Sequence, residues 1–304
     1  MTMASPLPLR FQIGARTLFT VRRRLVRMGL SLEQAMGEQP VTLPPLDSDA
    51  HGFLVTSLPA RQEQPIARQG GGMIALTRQR YARRYADLTG SFEDYLETFS
   101  SKSRSTLRRK VRKFADLSGG ELDLRRYQTA TEMAEFYREA RALSERTYQE
   151  KLMDAGLPEG AAAEAEMVRL AAQDRVRGWL LYVADQPVSY LYAPVDGDTM
   201  IYAHLGYDQE FAKYSPGAVL QFEAMRQIIE EGRFRRFDFT EGDGQHKRQF
   251  ATGAVDCVDM LLLRPTLANR MLLASLKAFD GSMVLAKRAV KALDLEGLAR
   301  KIRR

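Results

Sequence analysis

The sequence has 304 residues, 45% of them hydrophobic and 27% charged, with 12 prolines and a formal net charge of +7. That length suffices for one large domain or two modest ones, because single cores stop growing at roughly 250 to 300 residues, and the composition excludes wholesale disorder. One cysteine excludes an internal disulfide and a cysteine-built metal site, and three histidines without ligand spacing argue against any other metal centre.

Arg22, Arg23 and Arg24 break the first apolar stretch, so it does not read as a secretory signal, and no run approaches the roughly 18 apolar residues of a membrane span. Cysteine usage points to a reducing, cytoplasmic compartment, and Cys257, in an apolar run, reads as a small core residue. Residues 16–35 carry Leu18, Val21, Leu25, Met28 and Leu32 at steps of three and four, with arginines mostly between them. That spacing predicts an amphipathic helix with a basic face. Residues 37–72, rich in Gly, Pro and Gln, read as loop with one short strand at 52–58.

Ser91 caps a predicted helix at "FEDYLETF", and a second helix carries "KSRSTLRRKVRK" at 102–113, with seven basic residues and no acid. Such a face is either simply solvated or holds an anion. A strand at 120–128 precedes a helix capped by Thr131, with Met133, Phe136, Ala140 and Leu143 on one side, and "EAEMVRLAAQD" is another helix. From 177 to 207 the period becomes that of strands, broken by Asp185-Gln186-Pro187 and Asp196-Gly197-Asp198, which predicts a three-stranded antiparallel meander. A helix over 216–231, a strand at "RRFDFT", a polar loop and a strand at 256–264 follow. Between 264 and 304 basic residues outnumber acids ten to three, and Met271, Leu272, Ser275, Leu276 and Phe279 recur at helical steps, the pattern of a basic amphipathic helix.

The helix at 216 has a favourable start. Ser215 is a good N-cap, Pro216 suits the first helical position, and Gly217 and Ala218 let another molecule approach the backbone. Free N–H groups and the positive dipole end suit an anion, phosphate above all. Just upstream, the period of two in "TMIYAHLGY" places Met200, Tyr202, His204 and Gly206 on one face, with Tyr202 and His204 side by side.

The segments "SSKSRSTLRRKVRKF", "SPGAVLQFEAM", "GRFRRFDF" and "KRQF", in that order, resemble the FemAB-like, CelD-like branch of the GNAT acyltransferase superfamily across about residues 91–264. The resemblance implies an α+β fold, a GNAT-like mixed and mostly antiparallel sheet flanked by helices. It divides the chain into a reduced N-terminal half (1–113), a catalytic domain (114–264) and a basic amphipathic tail (265–304). It implies a thioester donor, acyl-CoA or acyl carrier protein, whose phosphates rest on Ser215, Pro216, Gly217, Ala218 and Val219. One glycine where the family has two leaves those donors open. The branch's Tyr-Lys stands here as His246-Lys247, with Lys247 a further anion contact.

Transfer to a primary amine needs a base, a stabilised oxyanion and a proton for the thiolate. His204 is the best base by type, since its ordinary pKa is near 6.5, and Glu241 competes with it. Tyr202 or Tyr207 is placed to supply the thiolate proton, and Asp238 faces the cleft or crosses the sheet. Two basic amphipathic helices make a lipid amine, such as the long-chain base of a ceramide synthase, the favoured acceptor, with the protein at the inner face of an anionic membrane. The alternatives are an aminoacyl-tRNA-dependent transferase, with the 102–113 helix on RNA phosphates, and a non-catalytic scaffold on an anionic surface.

Overall fold

The structure, a computed structural model, describes residues 4–13, 16–147, 156–242 and 244–292. By internal contacts the chain divides into two compact units, Met1–Ala82 with Val255–Arg304, and Arg83–Ala254. The boundaries read from the sequence fall elsewhere, one of them within a single helix at 113/114.

Numbered in chain order, the first unit holds β1 (Ser5–Ile13), β2 (Arg16–Gly29), α1 (Leu32–Met36), β3 (Gly52–Pro59), α2 (Glu63–Gln69), the start of β4 (Ile74–Asp87), the last strand β11 (Gly253–Leu263) and the last helix α9 (Leu267–Ala292). Its strands lie in the order β1-β2-β3-β11-β4. β1, outermost, pairs antiparallel with β2 in a register that sets Pro6 opposite Arg24, Leu7 opposite Arg23, Pro8 opposite Arg22 and Leu9 opposite Val21.

The helix expected over 16–35 is therefore mostly a strand. Its apolar residues satisfy a period of two once β1 supplies the partner: Val21 and Leu25 point with Leu9 and Phe11 into one core. Arg23 shares that side, and its Nε donates to Asn269 Oδ1 at 3.1 Å. Only α1, closed by a capping box between Ser31 and Gln34, is helical there. The glutamine-rich stretch folds because its amides bind the loop backbone. Gln62 receives Val41 N–H at 2.7 Å, and Gln69 donates to Val41 O at 2.9 Å.

On α9, Leu272, Leu273 and Leu276 are buried with Leu9, Phe11, Leu261 and Leu263. Met271, expected on that stripe, is 63% exposed. The first part of the predicted basic tail thus packs on its own unit, and residues 293–304 lie outside the described residues. Among the described residues no helix is long and apolar enough to cross a membrane.

The second unit holds the end of β4, α3 (Phe92–Glu97), α4 (Ser101–Leu117), β5 (Asp123–Tyr127), α5 (Ala130–Ser144), α6 (Ala161–Ala172), β6 (Val176–Val183), β7 (Gln186–Asp196), β8 (Thr199–Ile201), β9 (His204–Tyr207), α7 (Pro216–Glu231), β10 (Arg236–Asp238) and α8 (Gln245–Phe250). Strand order is β4-β10-β8-β7-β6-β5, with β9 beside β7. Described pairings are antiparallel except β8 with β10. This is the mixed, mostly antiparallel sheet flanked by helices that the sequence predicted.

Helices cover both faces, so β6 is buried along nearly its whole length and apolar apart from Arg177. Trp179 and Leu181 pack with α3, α4 and α7 residues, while Leu180 and Tyr182 pack with those of α5 and α6. The cap of α5 is Thr129, not Thr131, because Thr129 and Glu132 complete a capping box. Thr129→Ala is expected to cost about 1 kcal/mol, read as a lower urea midpoint, with Thr131→Ala as the neutral comparison.

Candidate active site

Helix α7 is anchored at its far end. Glu231 accepts from Arg177 at 2.7 Å and Arg126 at 2.6 Å, Trp179 Nε1 donates to Gln227 at 2.8 Å, and Gly232 closes the helix in the left-handed region at φ 66°. These ties hold the other end against β9. A Cβ on Gly217 would lie 3.0 Å from Leu205 Cδ2 and 3.3 Å from Tyr207 Cδ1, so glycine permits this close approach.

The meander's third strand is broken. β8 pairs with β7 through Val195 and Met200 and runs parallel to β10, with Met200 opposite Phe237 and Ile201 opposite Asp238. The Tyr202 N–H still donates to Asp238 O at 2.8 Å, whereas the Ala203 N–H turns to Tyr192 O at 3.3 Å. From His204 on, β9 pairs with β7 alone among the described strands. Three steps along β7, from Val195 to Tyr192, oppose four from Met200 to His204, a one-residue bulge.

That extra residue decides which side chains meet. Tyr202 packs with Phe237 and Phe239, ring centroids 6.3 and 6.0 Å away, in the core under α7. His204 instead lies opposite Tyr192, 6.2 Å between centroids, and Tyr192 belongs to the core under α5 and α6. The expectation that Tyr202 and His204 stand side by side fails, because strict alternation does not survive a bulge.

Beside β9 and the start of α7 a cavity of about 440 Å³ opens. Tyr202, Leu205 and Tyr207 line one side, and Ser215, Gly217, Ala218 and Gln221 of the α7 start line another. His246, Gln245, Gln249 and Phe250 of α8, Lys110 of the basic helix α4 and Ala212 complete it. Of the expected residues, Tyr202, Tyr207, Ser215, Gly217 and Ala218 come together here. Pro216 and Val219 are buried in the helix start, and His204, Glu241 and Asp238 are not in the wall.

The backbone at the α7 start offers less than its sequence promised. Ser215 sits in the left-handed region at φ 57° without a side-chain cap, and its carbonyl accepts both Ala218 N–H at 3.0 Å and Val219 N–H at 3.1 Å. Ser215 N–H donates to Ala212 O, and Pro216 has no N–H. Of these five residues, Gly217 alone has an N–H not drawn into the chain's own hydrogen bonds.

Asp238 is an anchor. Its carboxylate takes Arg83 Nε at 3.2 Å and NH2 at 2.5 Å, with side-chain exposures of 8% and 1%, and accepts Thr240 N–H at 2.8 Å. It thereby fixes the turn after β10. Glu241 is exposed and contributes its carbonyl oxygen, which accepts from Lys247 Nζ. Lys247 stands 5.8 Å over the Tyr202 ring, and burial lowers its pKa against the opposing carboxylates of Glu241 and Asp238.

His246 is the residue that sequence reasoning passed over. Its ring centroid lies 5.7 Å from that of Tyr202. Burial, aided by the Lys247 charge, holds its pKa below the ordinary imidazole value. A Cβ on Gly244 would lie 2.8 Å from His246 Cε1, so the glycine lets the ring fold back over the helix start. Burial pushes the Tyr202 phenol well above its ordinary pKa. The cavity therefore combines a histidine kept neutral at pH 7 with a phenol kept protonated. A signal existed in His246-Lys247 standing where the resembling branch has Tyr-Lys.

Among the described residues no group of three or more His, Cys, Asp or Glu side chains is arranged to hold a metal ion. Residues 101–248 match the family of acetyltransferase (GNAT) domains. The matched segment is just under half of the chain, and together with the fold it supports a transferase enzyme with a GNAT-like domain. The matched segment runs from α4 into α8 and contains all the cavity-lining residues except Gln249 and Phe250.

Among solved structures, the C-terminal domain of a protein assigned as a lysylphosphatidylglycerol synthetase from Agrobacterium fabrum aligns at 11% identity. It covers 76% of this chain and 73% of that one, with a TM-score of 0.52. FemX aligns at 8% identity over 74% of this chain and 75% of that one, with a TM-score of 0.51. Both are likenesses of fold. No curated protein matches the chain in sequence.

Proposed function

We propose that the protein is an N-acyltransferase that joins the acyl group of a phosphate-bearing thioester, acyl-CoA or acyl carrier protein, to a primary amine in this cavity. The observation that supports it most is the meeting of neutral His246, protonated Tyr202 and the Gly217 N–H around one cavity. The amine nitrogen attacks the thioester carbonyl and its proton passes to His246. The C–S bond then breaks and His246 returns that proton to the thiolate. Tyr202 is a poor acid for that task, because its pKa lies above 10 while a thiol's is about 8.5. Its O–H serves the oxyanion instead, as a fixed donor in a desolvated site. Gly217 N–H and Lys110 take the donor's phosphate.

The aminoacyl-tRNA reading draws on one observation, a second groove of about 680 Å³ between α3, α4 and α7, whose wall holds Arg104, Arg108, Arg112 and Arg226 beside Glu93 and Glu223. A lipid acceptor draws on exposed Leu18 and Phe19 of β2, 48% and 52% accessible. The decisive assay offers octanoyl-CoA, octanoyl-acyl carrier protein and alanyl-tRNA as donors to amines that include a long-chain base, with products read by mass spectrometry. Tyr202→Phe is expected to lower kcat about 10²-fold with little change in KM. Undiminished kcat in that variant removes Tyr202 from the reaction.

A further inference from the structure

Gln221 lies one turn into α7 from Gly217 and lines the cavity, yet it is only 2% exposed. Neither its Oε1 nor its Nε2 has a hydrogen-bond partner. Buried side-chain amides are normally paired, so a doubly orphaned one asks for an explanation. An anion would satisfy only the NH2 and repel the oxygen, and a cation would do the reverse. Both atoms are satisfied together by two successive amides of one chain, which present an N–H and a carbonyl along one edge, whereas a single trans amide points the two in opposite directions.

We propose that Gln221 is the specificity-determining residue of this cavity and that it reads two successive secondary amides of the substrate. Its Oε1 accepts the N–H of one amide and its Nε2 donates to the carbonyl of the next, one helical turn from the anion held at Gly217. This rests on the cavity being the acyl-transfer site proposed above. Two successive amides reach the cavity in the arm of a pantetheine thioester or in a peptide-like acceptor, and the two sources are separable.

The test replaces a single N–H. S-octanoylpantetheine carries two successive amides, and its analogue built on 3-hydroxypropanoate in place of β-alanine has an ester oxygen in place of the first N–H. The wild-type protein is expected to prefer the amide donor by about ten- to a hundredfold in kcat/KM, because the ester leaves Oε1 unpaired. Gln221→Leu is expected to treat both donors alike, and its melting temperature is expected to equal or exceed that of the wild type, since it removes an unpaired polar group. A matched amide and ester pair of acceptors assigns the contact to the acceptor if the preference appears there and vanishes in the variant.

Amide preference that persists in Gln221→Leu, or no preference on either side, overturns the proposal. So does a fall in the variant's melting temperature, which would make the amide a structural contact. Binding is measured apart from turnover, by titration calorimetry with pantetheine and with N-acetylalanine methylamide. If no donor reacts yet one of these ligands binds at least tenfold more weakly to Gln221→Leu, the acyl-transfer reading falls and the amide contact stands. If neither ligand distinguishes the two proteins, the amide contact falls as well.

Discussion

Replacing His246 by alanine is expected to lower kcat/KM for acyl transfer by about 10²–10³-fold, within the usual contribution of a positioned general base. The pH dependence carries the stronger test. Burial and the Lys247 charge hold the imidazole below its ordinary pKa, so the base is already neutral at pH 7. Activity is therefore expected to hold as the pH falls to 6.5 and to be lost only below that, as the proton returns. Replacing Lys247 with methionine removes the positive neighbour, and the acid limb is expected to move to higher pH. A pH profile of kcat/KM settles both points: a wild-type acid limb above 6.5, or full activity in His246→Ala, contradicts the assignment. His204→Ala is the comparison, expected to change kcat less than about threefold because its ring lies beside Tyr192 on the other face of the sheet.

Asp238→Ala is expected to lower stability by about 3–5 kcal/mol, the range for removing one partner of a buried ion pair. It would leave the Arg83 guanidinium, 8% exposed, without its carboxylate and free the Thr240 N–H. Urea unfolding measures it. Since part of that cost is the buried Arg83 charge losing this carboxylate, replacing Arg83 with methionine together with Asp238 with leucine is expected to recover part of the loss. If Asp238→Ala unfolds at the wild-type midpoint but cannot turn over, the carboxylate is a catalytic group after all.

The parts that were legible in the sequence are those with local causes. Helix α7 begins at Pro216 and ends at Glu231 as read, because Ser-Pro-Gly and Gly232 mark its ends without help from the rest of the fold. Helix α4 likewise declares itself, capped by Ser100 and buried through Leu107 and Phe114. What escaped depends on partners distant in sequence. Residues 16–29 satisfy a helical spacing as well as a strand's, and only β1 decides between them.

At the site, the one-residue bulge before His204 is invisible to alternation counting, so Tyr202 was given the wrong neighbour. His246 lies in a six-residue helix among glycines and polar residues, where no periodicity can accumulate. Gln221 looks like an ordinary polar residue on an amphipathic helix, and its orphaned burial exists only after α7 has packed.

The two prolines of β1 have a consequence for how the molecule meets its own copies. An outermost strand is a template for another chain, because its outward N–H and C=O groups await pairing. Pro6 and Pro8 sit two residues apart, so they share one edge of the strand, and the ladder to β2 survives because that edge faces away from it. Two of the donors that a docking strand would seek are thus absent, and Arg10 adds a charge further along. The sheet ends at β1 by composition, which protects a chain with a strand-rich first unit from growing into fibres.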